Sequence, residues 1–347
     1  MKRLRPLLLL GAVAIVLLGG CGGESETETG TAQPPWTFHA VRMDLEGEPD
    51  AEDAGPLLAR KLGYFHQLKV GGEMLSPVHP ARPTLWLNEE LVNAALAREP
   101  QVVLAVDEGM PLVIVGSLIS KPTMAMIWLE GSGIDSIADL KGKTIAIPGV
   151  HFQKPFLEAV LKRAGLTLDD VDLEWVGYYL ESELIQGRAD AIFGGSANID
   201  GATLESRGLE PVVTPVTKLG IPGYDELVLV ARRDRYTEDP ELYRRLLRGM
   251  IRGNAAAMDH PGALARAIKT QTKFKAAAAE NYGAAAEKAT RAGIPRTVPL
   301  LSKSGEIDEA QLEHLVDWMY DEGMIKRKIP VSRLIAGEGG AAEPSEP

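Results

Sequence analysis

Residues 143–195 read KTIAIPGVHFQKPFLEAVLKRAGLTLDDVDLEWVGYYLESELIQGRADAIFGG. Within them 143–147, 173–176 and 191–193 are apolar runs of strand length, the first meeting Pro148-Gly149 and the last ending in Gly194-Gly195. Between the runs, 152–164 and 181–186 carry apolar residues at helical spacing. Strand–helix–strand alternation is the pattern of a mainly parallel sheet covered by helices, so the chain reads as α/β.

The same alternation extends outward. Downstream, a helix over 199–206 precedes strands at 211–215 and 226–231. The chain is mostly helical from Pro240, with an amphipathic helix at 307–320. Upstream, a strand at 37–43 runs into the acidic loop 46–53, and a helix over 55–62 closes at Gly63, where a left-handed cap is needed. Runs at 91–97 and 112–119 read as strands, with a helix between them starting at Pro100. No internal repeat is visible.

With 347 residues, 45% hydrophobic and 24% charged, the composition is globular and long enough for roughly two domains. The net charge is −11, and it becomes −14 without the first twenty residues, which hold Lys2, Arg3 and Arg5 and no acid. That balance argues against a nucleic-acid partner, because Lys and Arg neutralising phosphates dominate such affinity. Three basic residues before the apolar stretch 7–18 form a secretory signal over 1–20. The stretch ends in Leu18-Gly19-Gly20-Cys21 and is similar to the bacterial lipobox, which implies lipidation of Cys21 and a membrane anchor. Residues 21–35 read as a flexible tether and 336–347 as a disordered tail. Cys21 is the only cysteine, so the folded part has no disulfide, thiolate zinc site or catalytic thiol to draw on.

Catalytic and metal patterns fail in turn. The six histidines, at 39, 66, 79, 151, 260 and 314, include no i,i+4 pair. Gly142-Lys143-Thr144 lacks the earlier glycine of a phosphate loop, and Gly195-Ser196-Ala197-Asn198 lacks the last glycine of a nucleophile elbow. Ligands of open α/β sheets instead bind beyond the carboxyl ends of strands. The loops there nominate Asp44, Asp50, Glu52 and Asp53 after the first strand, Arg98 and Glu99 after 91–97, and His151 after 143–147. Tyr178 and Tyr179 follow 173–176, and Ser196, Asn198 and Asp200 follow 191–193. The acidic loop reads equally as a solvated surface loop, the two tyrosines as core or hinge aromatics, and Pro148-Gly149 as a plain turn.

Several segments together resemble a known family. They are 122–134 leading into Ile-Ala-Asp-Leu-Lys-Gly-Lys at 137–143, Val176-Gly177-Tyr178, and Gly-Arg-Ala-Asp-Ala-Ile-Phe-Gly at 187–194. Gly-Ile-Pro-Gly-Tyr-Asp-Glu-Leu-Val-Leu-Val-Ala at 220–231 and Lys-Leu-Gly-Tyr-Phe at 61–65 belong with them. The chain resembles, over roughly 37–330, the extracytoplasmic solute-binding proteins of ABC importers, and most of all their thiamine pyrimidine-precursor branch within the alkanesulfonate and nitrate group.

The resemblance implies a type II periplasmic-binding-protein fold. Two lobes, 36–122 plus 228–335 and 123–227, would be joined by crossover strands near 120–128 and 223–230. It also implies a small-molecule ligand held between closing lobes, a cognate permease and ATPase, and neither cofactor nor metal. Glu226 matches the family's glutamate, an acceptor for an exocyclic amine. One departure stands out: where pyrimidine-precursor binders carry two Asn and a His after the first strand, this chain has Asp50, Glu52 and Asp53. Three carboxylates there favour amino or cationic groups over sulfonate, nitrate or phosphate. Another small organic solute such as a sulfonate, or a lipoprotein sensor without transport, stays open as an alternative. The fungal pyrimidine synthase of the same fold is the enzyme alternative, and it needs a cysteine-rich motif that this chain lacks.

Overall fold

The computed structural model describes residues 39–45, 49–75, 82–177, 180–272 and 282–337. The expected signal, Cys21 and tether, most of the tail, and Tyr178 and Tyr179 lie outside the described residues.

The described residues begin with β1 (His39–Asp44), α1 (Ala54–Lys61), α2 (Tyr64–Gln67), β2 (Val70–Leu75), α3 (Arg82–Asn88), β3 (Ala94–Ala97), α4 (Glu99–Asp107) and β4 (Leu112–Ile119). Residues 120–123 carry it into β5 (Met124–Leu129), β6 (Thr144–Ile147), α5 (Gln153–Arg163), β7 (Asp172–Trp175), α6 (Leu180–Ile185), β8 (Ala191–Ser196), α7 (Asp200–Ser206) and β9 (Pro211–Pro215). Residues 216–226 return it to β10 (Leu227–Arg232). Among the described residues five helices follow: α8 (Arg233–Glu238), α9 (Pro240–Asp259), α10 (Pro261–Thr272), α11 (Tyr282–Thr297) and α12 (Glu309–Asp321).

Two five-stranded sheets result, in the orders β2-β1-β3-β10-β4 and β7-β6-β8-β5-β9. The two orders are equivalent, and in each the fourth strand is the one that arrives from the other sheet. That strand is antiparallel to both neighbours, whereas the first three are parallel. Each sheet is therefore mixed rather than mainly parallel. A strand entering directly from the other sheet has no βαβ crossover to fix its direction.

Two strand limits also differ from the sequence reading. β3 starts at Ala94, because Leu91 is exposed and Asn93 uses its side chain to accept the Arg42 N–H at 2.8 Å. β8 does not stop at its glycines. The register against β5 skips Gly194, a bulge residue with φ 96°, and the strand continues to Ser196. A Cβ on Gly194 would lie 2.6 Å from Gln153 Nε2, so only glycine fits against that buried side chain.

A continuous apolar core lies behind the crossings. It joins Ile114 of β4, Met126 of β5, Phe156 of α5, Tyr224 and Leu315 of α12. The Phe156 ring meets Tyr224 at 6.3 Å and Trp318 at 5.0 Å, both edge to face. On the other side of the first sheet, α1 packs closely on α9 through glycine. A Cβ on Gly253 would stand 2.0 Å from the Gly55 carbonyl oxygen. Because that obstacle is backbone, Gly253→Ala is expected to cost about 1–3 kcal/mol of stability, read as a fall in melting temperature.

Candidate functional site

The two crossings meet at Glu226, which is fully buried just before β10. Its Oε1 accepts from Arg98 Nε, and its Oε2 accepts from the backbone N–H of Thr123 at 2.6 Å and of Met124 at 3.3 Å. One carboxylate thus ties the second crossing to the first and to the residue that precedes α4. With Oε2 accepting twice and Oε1 engaged by the guanidinium, Glu226 has little acceptor capacity left for a ligand.

Glu52 carries more. It comes from the acidic loop, is 6% exposed, and its Oε1 accepts from Thr123 Oγ1 at 2.9 Å and from Asn198 Nδ2 at 3.0 Å. Its Oε2 faces Arg98 Nη2 at 3.8 Å, an ion pair beyond hydrogen-bond distance. Asn198 follows β8 in the second sheet, and its Nδ2 also donates to Thr297 Oγ1 at the end of α11, 2.8 Å away. Asn198 Oδ1 is buried without a hydrogen-bond partner. Ser196 lies beside Thr123, with 3.4 Å between their hydroxyls. Polar side chains from both sheets and from the first crossing are thus linked into one network at the C-terminal ends of β3 and β8.

The surroundings are strongly acidic. Burial, reinforced by Asp50 and Glu226, pushes Glu52 up to about 8. Asp50 accepts the Glu52 N–H at 2.7 Å, and burial with Asp53 beside it takes its pKa to about 8. Asp200, which accepts the Ser196 N–H at 2.5 Å, is pushed to about 8 by burial and then by Glu181. A carboxylate held this high is protonated at neutral pH unless a cation or a strong donor arrives.

The other nominated residues separate. Asp53 is buried at the start of α1 and takes the Asp50 N–H at 3.2 Å. Asp44, fully buried at the end of β1, has no hydrogen-bond partner on either oxygen, and burial raises it to about 7 against the pull of Arg82. Glu99 turns to the second crossing, where its Oε2 accepts the Asp225 N–H at 2.9 Å. It braces that crossing rather than joining the Glu52 network. His151 is exposed after β6. Thr123, Thr297, Gln153 and Glu181 were missed. Thr123 follows a proline within the 122–134 segment of the resemblance, which names no site residue there, and Thr297 is 99 residues from its partner, so sequence spacing carries no trace of their pairing.

Among the described residues no group of His, Cys, Asp and Glu is arranged to hold a metal ion, and no helix is long and apolar enough to cross a membrane. The network offers many acceptors, with Arg98 as the cation between Glu52 and Glu226. It suits a ligand that brings N–H donors to those oxygens.

The chain is similar to several known proteins. The profile described as NMT1/THI5 like matches residues 51–264. A Haemophilus influenzae protein named for thiamine biosynthesis is 32% identical over 205 residues, 59% of this chain and 65% of its own length. The formylaminopyrimidine-binding protein of Halalkalibacterium halodurans is 28% identical over 261 residues, 75% of this chain and 77% of its own. The 4-amino-5-hydroxymethyl-2-methylpyrimidine phosphate synthase of Candida albicans is 25% identical over 215 residues, 59% and 63% of the two chains. Among solved structures, the alkanesulfonate-binding protein of Xanthomonas axonopodis, bound to MOPS, superposes with a TM-score of 0.65 at 14% identity, covering 87% of this chain and 99% of its own. At that identity the likeness shows the periplasmic-binding-protein fold.

Proposed function

Because this chain belongs to the NMT1/THI5-like family, whose profile matches residues 51–264, we propose that it is the solute-binding component of an ABC importer and captures an amino-substituted pyrimidine between its two sheets. The observation that carries the reading is the Glu52–Asn198 hydrogen bond across the sheets, beside Arg98 and Glu226. What supports the reading is a carboxyl group with spare acceptor capacity, hydrogen-bonded to side chains of the first crossing and of the second sheet. An aminopyrimidine presents an amine and a ring nitrogen on one edge, which a carboxyl group in either protonation state can match with two hydrogen bonds. The relative named for formylaminopyrimidine binding supports that chemistry. A sulfonate, which the named structural neighbour binds, brings acceptor oxygens and no N–H donor to match Glu52.

A binding role is favoured over catalysis, since the fungal synthases align over less of the chain than the formylaminopyrimidine binder does. The sequence also lacks the cysteine-rich motif, Cys21 being its single cysteine. Export with a lipid on Cys21 would hold the protein at the membrane beside its permease and ATPase.

The test is calorimetry with formylaminopyrimidine, other aminopyrimidines, alkanesulfonates and nitrate. Wild type is expected to bind an aminopyrimidine, and Glu52→Gln to weaken that binding about 10- to 150-fold while melting cooperatively. Binding of a sulfonate or nitrate with none of the amines overturns the assignment.

A further inference from the structure

The chain as a whole is acidic, yet one helical layer is not. Residues 54–69 and 240–259, which form α1, α2 and α9, hold seven Lys and Arg against two carboxylates, a net of +5 in a chain of −11. One of the two, Glu241, already lies 3.9 Å from Arg248 and 4.0 Å from Arg245. The helices form one surface. Arg252 donates to Gln67 Oε1 at 2.7 Å and stacks over the Tyr64 ring at 4.1 Å, and Arg245 donates to the Leu68 carbonyl oxygen at 3.3 Å. Lys61, Arg244 and Arg248 are exposed beside them. Leu62 is exposed in their midst, at 41%.

We propose that this layer docks on an anionic phospholipid surface. Clustered Lys and Arg are drawn to such a surface, and the remainder of the chain carries a net −16, so the attraction favours this layer as the contact. An exposed leucine among cations is the composition of an interfacial contact, where the apolar group enters the headgroup boundary. Position favours lipid over an acidic protein. The first described strand residue, His39, pairs with Val70, which adjoins Lys69, so β1 starts at the edge of this layer, and the lipid proposed on Cys21 precedes it in the sequence. α1 runs from Asp53, one residue after Glu52, to Lys61 in the layer, about 12 Å for eight residues, so the contact and the candidate site are at opposite ends of that helix.

The experiment places the full chain on vesicles of phosphatidylcholine alone or with about one-third phosphatidylglycerol, and follows acetylation of Lys61 against exposed Lys154 by mass spectrometry. Any N-terminal anchor acts on both vesicle types and cancels. Lys61 is expected to react about fivefold more slowly on the anionic vesicles, with Lys154 unchanged. The difference should vanish in high salt and in Arg244→Glu/Arg248→Glu, whose melting temperature reports that it folds. Equal rates on the two vesicle types overturn the proposal. So does protection seen only in native membranes and not on pure lipid, which assigns the layer to a protein. Neither outcome depends on which solute the site takes.

Discussion

Arg98→Met is expected to destabilise the protein by about 3–5 kcal/mol, the largest effect of any single substitution at the site. The guanidinium is 8% exposed, and its Nε donates to Glu226, which is fully buried, while its Nη2 lies 3.8 Å from Glu52. Methionine fills much of the same volume but leaves Glu226 with neutral donors, among them the N–H groups of Thr123 and Met124, in place of the guanidinium. An uncompensated buried charge, not lost packing, is then the cost. The double variant Arg98→Met/Glu226→Gln should recover a large part of it, because no carboxylate remains to be neutralised. Arg98→Lys should fall between, since an ammonium cannot hold Glu226 and face Glu52 from two nitrogens at once. Denaturant unfolding of the four proteins reads these differences. If the double variant falls as far as Arg98→Met, packing rather than charge is what Arg98 supplies.

What the sequence made legible follows from the range of each interaction. Helix α1 and its stop at Gly63, helix α4 with Pro100 in its first turn, and strands β4 and β9 rest on local periodicity and turn chemistry, and they stand where the sequence puts them. The short elements between α1 and β3 were unread. Tyr64–Gln67 is a single helical turn, and Val70–Leu75 contains two glycines, so neither shows a period. Strand order was not readable from local pattern at all. That β10 sits between β3 and β4 depends on a pairing across more than a hundred residues, and only the family resemblance anticipated crossing strands. At the candidate site, the rule that loops follow strand ends nominated Glu52, Arg98, Ser196 and Asn198, which lie in one network. It offered no way to see that Glu226 would be occupied by backbone N–H groups, or that Glu99 would face Asp225. Those depend on where two crossings meet, which neither segment encodes alone.

Stability should fall as pH rises from about 5 to 8, the reverse of the usual behaviour of a protein with paired carboxylates. Asp50, Glu52 and Asp200 are held near 8, Asp44 near 7 and Asp225 near 6, all by burial first. In the unfolded chain such groups ionise near pH 4, so across this window the folded state keeps protons that the unfolded state has released. The sign follows directly: stability is greatest below the unfolded pKa and is lost as pH climbs through the folded one. One retained proton is worth about 1.4 kcal/mol per pH unit, or about 3 kcal/mol between about pH 5.5 and 7.5. The exposed carboxylates with lowered pKa, such as Asp139 and Asp170, titrate below this window and do not offset the slope. Thermal melting in matched ionic strength checks it, and a flat or rising profile shows that these groups are ionised in the fold. The same protons report on the ligand. A neutral aminopyrimidine can share the Glu52 proton, accepting it on the ring while its amine donates to the other oxygen, so binding takes up or releases none. A permanent cation such as a guanidinium must expel that proton, and its affinity should rise up to about tenfold per pH unit toward pH 8. Calorimetry in two buffers of different ionisation enthalpy counts the proton, and for an aminopyrimidine the expected count near pH 7 is close to zero.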